Sequence, residues 1–219
     1  MLMPSKYYNR NFKSQYFYHI LNRGAYKHKI FIDEQDYETF LSILEYYLTY
    51  PCSKFFGYTK LVSKPYKNVK VTNLTTIHLV AYCLMPNHFH FIFKQLPSAT
   101  KKTNISNLMR RLMITYAMYF QNRHNHEGAI FQGRYKNVIV DTSEQLVYLS
   151  KYIHKNPEKL APNLENYTHS SYPSYINKVL LQDYLHPEYV LKLQRNYQKF
   201  VESPLNNKAE KKINPLILE

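Results

Sequence analysis

Ile77-His78-Leu79-Val80-Ala81-Tyr82-Cys83-Leu84-Met85-Pro86-Asn87-His88-Phe89-His90-Phe91-Ile92-Phe93 is the stretch that decides the fold. Residues 77–84 form an unbroken apolar run of strand length, which reads as a strand buried on both faces. Pro86-Asn87 is a turn pair, so the chain reverses and continues as a second strand, and the two form a hairpin. In that second strand side chains alternate between faces. His88 and His90 therefore point the same way, roughly 7 Å apart along the strand. Phe89, Phe91 and Phe93 point the other way, into a core. One strand thus carries a polar, chemical face and an apolar, packing face. Two imidazoles at this spacing suit one shared metal ion. Two half-buried histidines satisfied by hydrogen bonds fit the same pattern, so the question becomes what stands opposite them.

Working outward, Tyr16–Leu21 is aromatic and β-branched and reads as a first strand ending at Asn22-Arg23-Gly24. Asp33 is an N-cap candidate for an amphipathic helix over about 33–50, with Tyr37, Phe40, Leu41, Leu44, Tyr47 and Leu48 at helical spacing. Residues 51–76 form a long basic connection. Thr103 or Asn104 caps the next helix, whose stripe is Ile105, Leu108, Met109, Leu112, Tyr116, Tyr119 and Phe120, with Arg110 and Arg111 off it. Arg123–Gly128 reads as a loop and Asn137–Val140 as a fourth strand. Thr142 and Gln145 have capping-box spacing and open a third helix that runs to about Asn156, before Pro157. Ser170–Ile176 reads as irregular and Glu188–Val201 as one further helix. The order β-α-β-β-α-β predicts an α+β, ferredoxin-like antiparallel sheet with two helices on one face and the third helix free to cover the other. Residues 1–178 are expected to be the catalytic domain, and 179–219 a helical extension with a loose tail.

The 219-residue chain has 29 Lys plus Arg against 15 Asp plus Glu, a net charge of +14 and a pI near 9.5. That balance favours a polyanionic partner, nucleic acid first and an anionic membrane surface second. Tyrosines number 23 and phenylalanines 12. Cations interleaved with aromatics suit single-stranded nucleic acid, whose bases stack while its phosphates pair, although much of this aromatic content belongs to a core. Two cysteines, Cys52 and Cys83, are too few for a disulfide framework or a cysteine-rich zinc site, which predicts a reduced, cytoplasmic setting. No apolar run suits a signal peptide or a membrane span.

The third helix supplies the partner for the histidines. Tyr152 and Asn156 are four residues apart, hence on one face and about 6 Å apart along the axis. The Asn156 amide oxygen is a ligand for a hard divalent cation. If this helix lies over the open face of the sheet, Asn156 completes a His-His-Asn set with the Tyr152 phenol beside it. That arrangement suits phosphoryl transfer by a hydroxyl nucleophile. Tyr148, one turn earlier on the same face, competes with Tyr152 for that role.

Four segments, Tyr18–Gly24, Ala81–His90, Phe131–Lys136 and Tyr152–Pro157, resemble in order the single-tyrosine HUH transposases, in particular their REP-associated tyrosine transposase, or IS200-like, branch. The resemblance covers about residues 16–176. It implies that His88, His90 and Asn156 hold Mg²⁺ or Mn²⁺. It also implies that Tyr152 attacks single-stranded, hairpin-bearing DNA, giving a 5′-phosphotyrosine link and a free 3′-OH, in a bacterial cytoplasm at the nucleoid, as monomer or homodimer. A DNA-binding protein of the same fold with a silent nuclease site is the alternative. Arg23, Arg110, Arg111, Arg134 and Lys136 are candidate DNA contacts, each weighed against a solvated surface charge. His19 could stand behind the metal ligands. The chain departs from the family's pattern in its longer 51–76 connection and in His169, where the family often has Trp.

Overall fold

The computed structural model describes residues 11–51 and 75–204. Most of the expected N-terminal arm, the 51–76 connection with Cys52, and the tail from 205 lie outside the described residues. The elements run β1 (Phe17–Arg23), α1 (Glu34–Thr49), β2 (Ile77–Met85), β3 (His88–Gln95), α2 (Ile105–His124), β4 (Lys136–Val140) and α3 (Ser143–Lys155). The short helices α4 (Tyr172–Tyr175), α5 (Glu188–Leu191) and α6 (Tyr197–Glu202) follow. Among the described residues no helix is long and apolar enough to cross a membrane.

The four strands lie in the order β2-β3-β1-β4, every neighbouring pair antiparallel. This is the ferredoxin-like sheet that the element order predicts. Local signals set the helix starts. The side chains of Asp33 and Asn104 accept from the backbone of Asp36 and Asn107, and Thr142 and Gln145 form a complete capping box.

The alternation in β3 divides the molecule into two cores. Phe89, Phe91 and Phe93 pack with Ile20, Phe40 and Tyr116 under α1 and α2. Ile92, on the histidine face, packs with Val80, Val140, Leu146, Leu149 and Ile153 under α3. The sheet is therefore covered on both faces.

Later chain seals the β2 edge. Leu84 donates to the His169 carbonyl at 2.9 Å, Ser171 donates to that of Tyr82 at 3.0 Å, and His186 donates to that of Leu79 at 2.8 Å. His169 itself stacks on Tyr37, with ring centroids 3.7 Å apart. A planar imidazole thus fills the space beside that ring.

Three expectations need correction. Ser170–Ile176 is not wholly irregular: it bridges β2 through Ser170 and then forms α4, whose side chains are buried. Glu188–Val201 is two short helices rather than one. Asn196 leaves helical geometry (φ −92°, ψ 63°), which lets Tyr197 and Val201 reach the core while Leu193 stays 45% exposed. His124 belongs to α2, not to the following loop. Its imidazole lies 3.0 Å from both Asp36 carboxylate oxygens, joining the cluster in which Arg123 pairs with Asp33 and Asp36.

Candidate active site

His88 opens β3 and His90 lies two residues further, on the same face of the sheet. His90 is fully buried, and its Nδ1 is 2.9 Å from His19 Nε2, the two rings stacked at 5.2 Å. His19 thus stands directly behind His90 and fixes its orientation, which leaves Nε2 as the nitrogen that would serve a ligand. His88 Nδ1 is 2.6 Å from Asn87 Oδ1, and His88 Nε2 is 3.1 Å from Asn156 Oδ1.

The second of these contacts is informative. When Nδ1 donates its proton to Asn87, a neutral His88 turns a lone pair on Nε2 toward the lone pairs of Asn156 Oδ1. A cation bound by both atoms, or a proton on Nε2, resolves that opposition. Two ligands cis to each other on a divalent ion at about 2.1 Å stand about 3 Å apart, which matches the observed separation.

Tyr152, from the middle of α3, meets the His90 ring edge-on at 5.8 Å. It lines a cleft of about 660 Å³ together with His88, Asn156, Asn87 and the lysines at 27, 29, 155 and 159. Tyr148 packs against Phe200 of α6 at 5.5 Å instead. The structure therefore brings His88, His90, Tyr152 and Asn156 together and sets the competing tyrosine against the C-terminal segment.

The opposite face of α3 is pinned. His154 is fully buried, and burial lowers its pKa to about 3, so the ring is neutral. Its Nδ1 is 2.7 Å from the Tyr197 hydroxyl, which donates to Ser150 Oγ at 2.9 Å, and Ser150 in turn donates to the Val147 carbonyl. His154 Nε2 is 2.8 Å from Ser171 Oγ, which accepts from the Tyr82 backbone N–H. One tautomer satisfies all of these contacts: Nδ1 donates and Nε2 accepts. This chain ties the helix bearing Tyr152 and Asn156 to both β2 and α6.

The basic residues divide. Arg23 pairs with His88 and Lys136 with Leu21, itself opposite His90, so both fall in the histidine-bearing rows of the sheet and share its face. Arg134 is exposed in the loop before β4, and Arg110 is exposed on α2, in the other layer. Arg111 corrects the expectation of a surface cation. It is 4% exposed, donates to the Pro51 carbonyl at 2.9 Å and lies 4.0 Å over the Tyr47 ring. Its charge is satisfied inside the fold and is not offered to DNA.

Sequence reasoning passed over Asn87, read only as a turn residue, although its place beside His88 was the available signal. It also passed over the cleft lysines and the His154 network, which depends on residues far along the chain.

A second donor group, His78, His186 and Glu188, sits at the other end of the sheet, with His78 opposite Lys94, about 20 Å from His88 along β3. Its imidazoles stack face to face at 3.6 Å. A metal binds in the plane of an imidazole, so rings stacked this way cannot both aim a lone pair at one ion. Burial foremost, and then the neighbouring His186, push His78 down to about 4. The group is a packing joint in which the His78 ring is neutral.

Residues 62–156 match the family model described as transposase IS200 like. No curated protein matches the chain. Among solved structures, the chain is similar to a REP-associated tyrosine transposase bound to a REP hairpin. That likeness has 15% identity, covers 82% of this chain and 89% of that one, and has a TM-score of 0.53; it shows the shared fold. It is also similar to a candidate transposase from Deinococcus radiodurans, with 17% identity over 67% of this chain and 95% of that one and a TM-score of 0.39.

Proposed function

We propose that this chain, whose residues 62–156 match the model of the IS200-like transposases, has a transposase-like, DNA-processing role, namely metal-dependent cleavage and strand transfer on single-stranded, hairpin-bearing DNA, with Tyr152 as nucleophile. The observation that carries this reading is the approach of His88 Nε2 to Asn156 Oδ1, with Tyr152 in the same cleft and edge-on to His90.

His88 and His90, through Nε2, and Asn156, through Oδ1, would hold Mg²⁺ or Mn²⁺. The bound ion would neutralise charge on the scissile phosphate. Asn87 and His19 keep the two imidazoles turned toward that point. The cleft lysines draw the strand in and position its phosphates. Tyr152 Oη attacks phosphorus in line and forms a P–O bond, its proton passing to solvent. The bond from phosphorus to the 3′ oxygen breaks, and that oxygen leaves as a 3′-OH after taking a proton. The 5′ end stays on Tyr152 until a 3′-OH attacks and reverses the step. Tyrosine needs this setting because its ordinary pKa is about 10.

The test is covalent trapping. Labelled hairpin DNA with single-stranded flanks is incubated with protein and Mn²⁺ or Mg²⁺ and run under denaturing conditions. The expected labelled protein band is lost with Tyr152→Phe or a chelator and kept with Tyr148→Phe. Loss with Tyr148→Phe and retention with Tyr152→Phe would overturn the assignment. DNA shifted in a native gel with no covalent band on any substrate would favour the silent-nuclease reading.

A further inference from the structure

The turn between β1 and α1 carries a feature that the cleavage chemistry does not use. Tyr26 has left-handed backbone geometry (φ 52°, ψ 26°), and Lys27 follows at φ 63°. Two consecutive residues with side chains in this region are costly, and chains usually place Gly or Asn there. Such strain is normally offset by packing, but Tyr26 is 90% exposed. The turn is also held firmly. Gly24 donates to Asn87 O and Ala25 to Ile130 O, both at 2.8 Å, and Asn87 Nδ2 donates to the Lys27 carbonyl. Asn87 is the residue whose Oδ1 orients His88. A Cβ on Gly24 would fall 2.1 Å from the His28 carbonyl oxygen, so the turn has little room to relax.

The exposed Tyr26 ring adds little to the fold, since its ring contact is a tilted one with the neighbouring His28, centroids 6.2 Å apart. Lys27, His28 and Lys29 follow it directly, and Lys27 and Lys29 line the cleft beside Tyr152. An exposed ring followed directly by cations that line the proposed nuclease cleft has the composition of a stacking platform for single-stranded nucleic acid. We propose that Tyr26 stacks on one unpaired base of the bound strand, while Lys27 and Lys29 hold the phosphates that run from that base toward Tyr152. This rests on the single-stranded DNA reading given above.

Fluorescence anisotropy with labelled oligo(dT), and with an abasic deoxyribose-phosphate strand of equal length, tests it. Base–aromatic stacking of ordinary strength corresponds to a loss of about five- to 150-fold on removing the ring. Tyr26→Ala is expected to weaken oligo(dT) binding within that range and to leave the abasic strand unchanged, with the same salt slope. Tyr26→Phe should bind both strands as the wild type does. Tyr26→Gly should lose oligo(dT) affinity while keeping a Tm no lower than that of the wild type, because it relieves the backbone. Equal losses on both strands, undiminished oligo(dT) binding by Tyr26→Ala, or a lowered Tm with Tyr26→Gly would each overturn the proposal. Wild-type protein that binds the abasic strand as well as oligo(dT) would refute stacking alone, whereas wild-type protein that binds neither would bring down the single-stranded DNA reading itself.

Discussion

Tyr197→Phe removes one oxygen from the middle of the buried chain beneath α3. In the wild type, His154 Nδ1–H donates to that oxygen at 2.7 Å, and the hydroxyl donates onward to Ser150 at 2.9 Å. Ser150 keeps its own bond to Val147 at 2.7 Å. After the substitution, keeping the bond in which His154 Nε2 accepts from Ser171 leaves the Nδ1–H without an acceptor in a fully buried site, and moving the proton to Nε2, which Ser171 allows by donating to the Tyr82 carbonyl at 3.2 Å, strands Nδ1 as a buried acceptor instead. A buried ring nitrogen stranded in this way, as donor or as acceptor, costs about 1–3 kcal/mol. For a chain of this size each kcal/mol lowers Tm by about 2–4 °C. Urea unfolding followed by circular dichroism, with a thermal melt beside it, reads both quantities. A loss below about 0.5 kcal/mol would refute the chain as drawn, as would an equal loss in a Tyr197→Phe, His154→Leu double variant. The double variant deletes the stranded ring nitrogen, so its deficit should come from packing instead.

Asp36→Ala should cost about 3–5 kcal/mol in the same assay, because a fully buried carboxylate that accepts from Arg123, Tyr119 and the Ile32 N–H is removed while its partners stay. Arg23→Gln and Lys136→Gln should each lower the log–log salt slope of single-stranded DNA binding by about 0.7, the value for one phosphate contact, whereas Arg111→Gln should lower Tm and leave the slope unchanged. The His78 joint should weaken in acid. Below about pH 6.5 the unfolded chain takes up a proton that folded His78 refuses until about 4, so stability is fully present above pH 6.5 and falls as pH drops through that window. His78→Gln should flatten this part of the pH–Tm curve relative to the wild type, and parallel curves would sink the idea.

Much of this molecule follows from local pattern. The Phe-His alternation at 88–93 predicts both the two-faced strand and the shared direction of the histidines, because a strand's period of two allows no other arrangement. Asp33, Asn104 and Thr142 mark helix starts because capping needs only residues three positions apart. Misreadings arise where distant chain decides. Arg111 lies three residues from Leu108 and four from Thr115, so helical spacing permits its burial, but only the Pro51 carbonyl and the Tyr47 ring make that burial tolerable. The break at Asn196 and the partners of His154 likewise depend on how residues 169–201 return to the sheet. Tyr148 and Tyr152 are equivalent by spacing, and the contact of Phe200 with Tyr148 tells them apart.

The sealed edge of β2 sets a lower limit on what can be cut away. The match to the transposase model stops at residue 156, which invites a minimal chain ending nearby. Such a chain would lack the backbone partners supplied by 169, 171 and 186 and would bare a nine-residue apolar strand along its outer side. An uncovered strand of that kind templates the addition of another copy's strand, and then another. The segment after α3 thus serves as the protein's own guard against polymerisation, and a shortened version should come out of cells as aggregate, with His88, His90, Tyr152 and Asn156 all present but buried in the wrong assembly.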